Sequence, residues 1–229
     1  MKLGIVIPVR LNSKRLPKKA LLKVRNKRLI DYVLEIAKKV NKINKIIVST
    51  SKNKTDEELV NYLEKKKINY YRGDLNNVSL RFLETIKKNK LDAAIRLNGD
   101  SPLHSPSLIN DAIKIFLNKK PDILTNILER TFPKGLSVEI IKTKSYEKAY
   151  NLIKSKSDKE NITSIIYKNK KKFKIHNLKN LKNLKNINFC VDTKKDLLRF
   201  KKIIKNYGKI NLKSHYKIFL KKFDKLDYF

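Results

Sequence analysis

The chain has 229 residues, 41% of them hydrophobic, and 56 Lys and Arg against 21 Asp and Glu give a formal net charge of +35. That length and apolar share suit one substantial α/β domain or a domain with a small subdomain. A single cysteine, Cys190, rules out an internal disulfide framework and a thiolate metal cluster, and three histidines isolated in sequence argue against zinc.

In chain order, the apolar run 3–7 predicts a buried strand of a parallel sheet, which Pro8 ends. A polar loop follows that carries Arg10, Ser13, Lys14, Arg15, Lys18 and Lys19. Helical spacing is predicted over 29–40 and a short strand over 45–49, then a helix opened by a capping box at Thr55–Glu58. A strand at 69–71 ends in the turn Arg72-Gly73-Asp74, a helix spans 77–88, and a fourth strand at 92–97 leads into Asn98-Gly99-Asp100-Ser101-Pro102. Ser105-Pro106 then opens a helix, with the proline at its first position. Four strand–helix repeats predict a Rossmann-like α/β fold: an open, mostly parallel sheet flanked by helices.

The second half is less regular. Strands are expected at 122–125, 136–141, 173–175 and 187–191. Helices are expected at 145–154 and 159–169, from 193 to about 206, and over 216–223. No repeat or linker divides the chain, which reads as one domain, 1–229, with an inserted, partly antiparallel arm at about 125–180. No apolar run reaches membrane-span length and no charged-then-apolar leader opens the chain, so a soluble, cytoplasmic protein is expected.

The charge first points to nucleic acid. Yet all but nine of the cations are lysines spread along the whole chain, a compositional drift rather than a built groove. Drift makes the rare residues informative. Gly4, Gly73, Gly99 and Gly135, and Arg10, Arg15, Arg72, Arg81, Arg96 and Arg130, all fall in motif-like stretches. Three loops at strand carboxyl ends, 8–19, 98–102 and 191–196, converge on the ligand crevice of such a sheet. The first offers arginine forks and lysine point charges, a mixture suited to a polyphosphate. Asp100 and Asp192 are placed to share a divalent cation, and magnesium favours one or two carboxylates plus substrate phosphates. The alternative for Asp192 is a helix N-cap, and for Asp100 a turn residue.

The stretch Ile7-Pro-Val-Arg10-Leu-Asn-Ser13-Lys-Arg15-Leu-Pro17-Lys-Lys19-Ala-Leu resembles the opening signature of the cytidylyltransferases that make CMP-activated acidic sugars, the acylneuraminate and 3-deoxy-manno-octulosonate enzymes. The nearer likeness is to the spore-coat-polysaccharide, SpsF-like branch. Arg72-Gly73, Arg96-Leu-Asn-Gly-Asp100-Ser-Pro102, Thr131-Phe-Pro-Lys-Gly135-Leu-Ser-Val-Glu139 and Val191-Asp192-Thr193-Lys-Lys-Asp196 have counterparts there in the same order. The resemblance implies the nucleotide-diphospho-sugar transferase type of fold and transfer of CMP from CTP to an acidic sugar, with release of pyrophosphate. It implies that Arg10, Arg15 and Lys19 grip the triphosphate, with Ser13 in the same loop, and that Asp100 and Asp192 hold Mg2+. Arg72, Gly73 and Arg81 would lie near cytosine and ribose, and Asn98 and Gly99 beside the nucleotide. Thr131, Gly135 and Glu139 would lie on the acceptor side, on an arm that forms a homodimer contact.

The chain departs from the pattern at Lys18 and Asn26, where glycine is usual, and at Asn77 and Ser137, where aspartate is usual. Alternatives of the same fold are another NTP, a polyol-phosphate acceptor, or a pseudoenzyme marked by Asn77 and Ser137. Of a different class is a basic nucleic-acid binder, although ten Tyr and nine Phe do not interleave with a basic stripe as stacking platforms would.

Overall fold

The computed structural model describes residues 1–207. The first half alternates as its periodicity predicts: β1 (Leu3–Pro8), α1 (Leu29–Lys38), β4 (Lys45–Ser51), α2 (Glu57–Lys65), β5 (Tyr70–Gly73), α3 (Val78–Lys88), β6 (Ala93–Arg96) and α4 (Pro106–Lys119). Between β1 and α1 a small hairpin, β2 (Lys23–Val24) with β3 (Lys27–Arg28), was not legible in the sequence. The second half holds β7 (Ile123–Thr125), β8 (Glu139–Lys142), α5 (Thr143–Tyr150), α6 (Lys156–Glu160), α7 (Ser164–Lys168), β9 (Ile175–Asn177) and α8 (Lys194–Tyr207). Seven strands form one sheet in the order β5-β4-β1-β6-β8-β7-β9. All pairings are parallel except the two made by β8, so six strands point one way and β8 runs back between β6 and β7. The antiparallel part of the expected arm is thus a strand within the main sheet.

Alternation along the strands sorts the core into two layers. Ile5, Ile7, Val48, Ile95, Leu124 and Ile140 face α1, α2, α4 and α8. Val6, Ile47, Ala94, Ile123 and Ile141 face α3, α5 and α7. Ser105 caps α4 as predicted, its Oγ accepting from Leu108 N at 3.3 Å with Pro106 at the first helical position.

Several boundaries differ, each for a physical reason. The predicted Thr55 capping box does not form. Asn53 caps a 3-10 turn, Lys54–Asp56, and Asp56 turns inward to bind backbone groups, so α2 starts at Glu57. The strand expected from 136 starts only at Glu139, because the Asn126 amide takes up Leu136 O and Val138 N at 2.8 Å each. The helix expected at 159–169 breaks at 161–163 into α6 and α7. The strand expected at 187–191 is extended chain with a single bridge, Lys134 to Asn188; its apolar residues Phe189 and Val191 signal burial, not ladder pairing. The helix expected at 216–223 lies outside the described residues. No described helix is long and apolar enough to cross a membrane.

Buried His104 ties the loop after β6 to the segment before β8. Its Nε2 donates to Ser137 O at 2.8 Å, and Nδ1 accepts from Ser105 N at 2.8 Å. Burial holds its pKa down at about 4, against the help of these bonds. In the unfolded chain the ring binds a proton near pH 6.5, so acidification favours the unfolded state between those values and has no such effect above them. Thermal melts should therefore lose stability from about pH 6.5 downward, and His104→Gln should flatten that slope. An unchanged slope would assign the acid sensitivity to other groups.

Candidate active site

At the carboxyl ends of β1 and β6 the sheet opens into a cleft of about 830 Å3, and the loop after β1 forms one wall. Pro8 ends β1, and Val9 N donates to Ser49 O at 3.0 Å, so Arg10 to Lys19 leave the sheet as a loop. Arg10, Ser13, Lys14, Arg15 and Lys19 line the cleft. Lys18 sits in the left-handed region at φ 52, which is why glycine serves there in the related pattern. Its ammonium pairs with Glu58 at 2.8 Å instead of entering the cleft.

Opposite lies Asn98-Gly99-Asp100. A Cβ on Gly99 would stand 2.4 Å from Val9 Cγ2, so glycine lets the ends of β1 and β6 close on one another. Val191 N donates to Asp100 O at 2.8 Å and brings the segment before α8 alongside. There Thr193 and Asp196 cap each other: Asp196 N donates to Thr193 Oγ1 at 3.2 Å, and Thr193 N to Asp196 Oδ2 at 2.9 Å. Asp192 therefore does not spend its carboxylate as a cap. Desolvation works against the Asp196 charge, but the Thr193 hydroxyl and the amides of Asp192 and Thr193 hold its pKa below the usual range.

The freed carboxylate converges with Asp100 on the Lys19 ammonium, a pairing the sequence reading did not foresee. Lys19 Nζ donates to Asp192 Oδ1 at 2.7 Å and to Asp100 Oδ2 at 2.9 Å, and Arg15 Nη2 stands 3.2 Å from the same Asp192 oxygen. Burial depresses the Lys19 pKa, but the two carboxylates outweigh it and the net shift is upward. Two carboxylates converging on one cation fit a magnesium site that is completed by substrate phosphates. Among the described residues no cluster of three or more His, Cys, Asp or Glu could hold a metal without such help.

Arg81 is 1% exposed on α3, and Nη1 donates to Asp74 O at 2.6 Å and Leu75 O at 3.4 Å. Arg10 Nη1 shares the Leu75 carbonyl at 3.2 Å. Desolvation first, then the Arg10 charge, lowers the Arg81 pKa to about 10. Arg10 Nη2 also stands 3.9 Å from Glu160 Oε1 in a solvent-exposed pair, whereas Arg81 is held by carbonyls alone and leaves positive charge for a ligand to match.

Other predicted residues fall elsewhere. Arg72 binds Ser51 O and Glu57 at the sheet edge, and Gly73 is buried against the Arg81 stem. Thr131 accepts from Asn180 N at 2.6 Å, and Gly135, at φ +90, packs on the Phe189 backbone; neither lines the cleft. Glu139 is 2% exposed beneath its floor. Asn77 caps α3 through Oδ1 and donates to Tyr150 Oη at 3.0 Å, a bond an aspartate could not give. Ser137 holds Arg130 Nη2 at 3.2 Å. Missed by sequence reasoning are Asn12, Asn76, Val78, Arg96 and, from the 156–162 segment, Lys156, Glu160, Asn161 and Ile162, all lining the cleft. Arg96 alone carried a signal, as a rare arginine two residues before Asn98 in a strand.

The cytidylyltransferase family profile matches residues 4–226. An uncharacterized protein of Methanocaldococcus jannaschii is 32% identical over 93% of this chain and 87% of its own length. The 3-deoxy-manno-octulosonate cytidylyltransferase of Bartonella tribocorum is 34% identical over 53% of this chain, and the match spans half of that enzyme. Among solved structures, a cytidylyltransferase from Leptospira borgpetersenii superposes with a TM-score of 0.91 at 26% identity, covering 98% of this chain and 94% of that one. The opening signature, the doubly wound sheet and the paired carboxylates thus meet in a chain that belongs to the cytidylyltransferase family, a CTP-dependent nucleotidyltransferase.

Proposed function

We propose that this chain transfers CMP from CTP to an acidic sugar of the nonulosonate or 3-deoxy-manno-octulosonate kind and releases pyrophosphate for surface-polysaccharide synthesis. The observation that carries the reading is the Lys19 ammonium held between Asp100 and Asp192 in the same cleft as Arg10 and Arg15. The name of the Bartonella relative supports the sugar class.

In this reading Arg10, Arg15 and Lys19, with Ser13 beside them, hold the triphosphate so that the α-phosphorus faces the acceptor hydroxyl. Positioning and charge neutralisation are what phosphoryl transfer asks of a protein. The same three cations stabilise the charge that builds on the departing pyrophosphate, where fixed donors count most. Asp100 and Asp192 would hold Mg2+, which supplies Lewis acidity and lowers the pKa of the attacking hydroxyl. Lys19 leaves the carboxylates for the phosphates as CTP enters. A homodimer contact on the 125–180 segment belongs to the same reading.

Pyrophosphate release should be measured with CTP, UTP, ATP and GTP, each with 3-deoxy-manno-octulosonate, a nonulosonate or a polyol phosphate. Release is expected with CTP and an acidic sugar only. Equal turnover with UTP, or with the polyol phosphate, would replace the assignment.

A further inference from the structure

Arg96 has more donors than the protein uses. Its Nη1 gives one bond to Glu139 Oε2 at 2.5 Å and one to Thr163 Oγ1 at 3.3 Å. Nε is buried without a partner, and Nη2 has none among the described residues. The side chain is 22% exposed and belongs to the cleft wall. A guanidinium offers five N–H donors in a fixed fork, so most of this one is unspent.

The arrangement beneath it is built. Arg96, Glu139 and Thr125 are paired in register across β6, β8 and β7 and so lie on one sheet face. Tyr167 Oη lies over them, donating to Glu139 Oε1 at 2.5 Å and standing 2.8 Å from Thr125 Oγ1. Both Glu139 oxygens are therefore engaged by protein groups, and at 2% exposure the carboxylate cannot reach a ligand. A buried charged row within an apolar layer costs desolvation that a hydrophobic set would avoid. What it provides is a guanidinium fixed in place at the cleft wall, with hydrogen-bonding capacity to spare. Glu139 is a positioning residue.

Strand order places this group. The phosphate loop follows β1, and Asn76, Val78 and Arg81 follow β5, on one side of the sheet. Arg96 and Glu139 stand at the β6–β8 junction, on the other side of β1, beside Ile162 and Thr163. Asp100 follows β6 itself and reaches Lys19 of the loop after β1. A nucleotide that spans β5 to β1 with its phosphates toward Asp100 leaves the β6–β8 end for the second substrate. We propose that Arg96, held by Glu139 and Tyr167, binds the carboxylate of the acceptor sugar and orients it for attack. The assignment rests on the CMP-sugar reading and adds the residue that selects an acidic acceptor.

The test uses Arg96→Lys, which keeps Glu139 paired and so keeps the fold, but lacks the planar fork. Wild type is assayed first with 3-deoxy-manno-octulosonate and with its C1 amide. The amide should raise the acceptor KM by about tenfold or more in wild type, the loss expected for one charge-assisted contact. In Arg96→Lys the acid itself should show a similar rise, the amide should add little further, and the CTP KM should stay within about twofold. Glu139→Gln should move the acceptor KM the same way by a smaller factor. An Arg96→Lys enzyme with raised CTP KM and unchanged acceptor KM would overturn the assignment, as would a wild type indifferent to the amide. A wild type inert with every acidic sugar would instead sink the CMP-sugar reading, and this anchor with it.

Discussion

Asp100→Asn should lower CMP transfer by on the order of a thousandfold, while the circular dichroism spectrum and melting temperature stay close to wild type. The size follows from position. Asp100 Oδ2 already holds a cation at 2.9 Å, and the residue lies where the β1 and β6 ends close on one another through Gly99. The amide is isosteric but carries no charge, so it would hold a divalent ion weakly and give Lys19 only a neutral acceptor. Stability should change little, because Lys19 keeps Asp192 at 2.7 Å and both carboxylates are partly solvated. Pyrophosphate release under saturating CTP and acceptor checks the rate, and Mn2+ binding to the enzyme–CTP complex checks the cause. Near-normal turnover would remove Asp100 from the chemistry.

The second large effect is structural. Asp56→Ala should cost about 3 kcal/mol of stability, the scale for several buried donors left without their acceptor. Asp56 is fully buried, and Oδ1 accepts from Leu11 N at 2.7 Å. Oδ2 accepts from Ser51 N and Thr50 Oγ1 at 3.1 Å each, and from the Ser51 hydroxyl. One side chain thus ties the first turn of the loop after β1 to the end of β4. Its loss should also raise the CTP KM several-fold, because Leu11 adjoins Arg10. Urea titration measures the first effect. A variant that loses stability but keeps its CTP KM would show that the loop is anchored elsewhere.

The opening half of the fold was legible because periodicity, caps and loop chemistry agree there. Apolar runs give β1, β4 and β6, and Ser105-Pro106 gives the start of α4. The second half hid where side chains override local pattern. Asn126 substitutes for ladder partners and delays β8, while Thr163, turned to Arg96, sits where the predicted helix breaks. For the site, Lys19, Asp100 and Asp192 were readable as charges at strand ends, and the structure brings their side chains together. Asp56 was not, because an acidic residue after Thr55 reads equally as the start of a helix. Glu139 was found, but as a group on the acceptor side; its burial and its bond to Arg96 are long-range facts that no local window contains. The 156–162 segment carried no motif at all.

Among the described residues the sheet has two edge strands, β5 and β9, and each is bordered by lysines: Lys65, Lys66 and Lys67 just before β5, and Lys170, Lys171, Lys172 and Lys174 just before β9. All seven are exposed. A second sheet approaching either margin in register would bring ammonium against ammonium before any backbone bond formed, which is how natural sheets avoid growing into fibres. The drift that floods this chain with lysine therefore acts as a gatekeeper against aggregation.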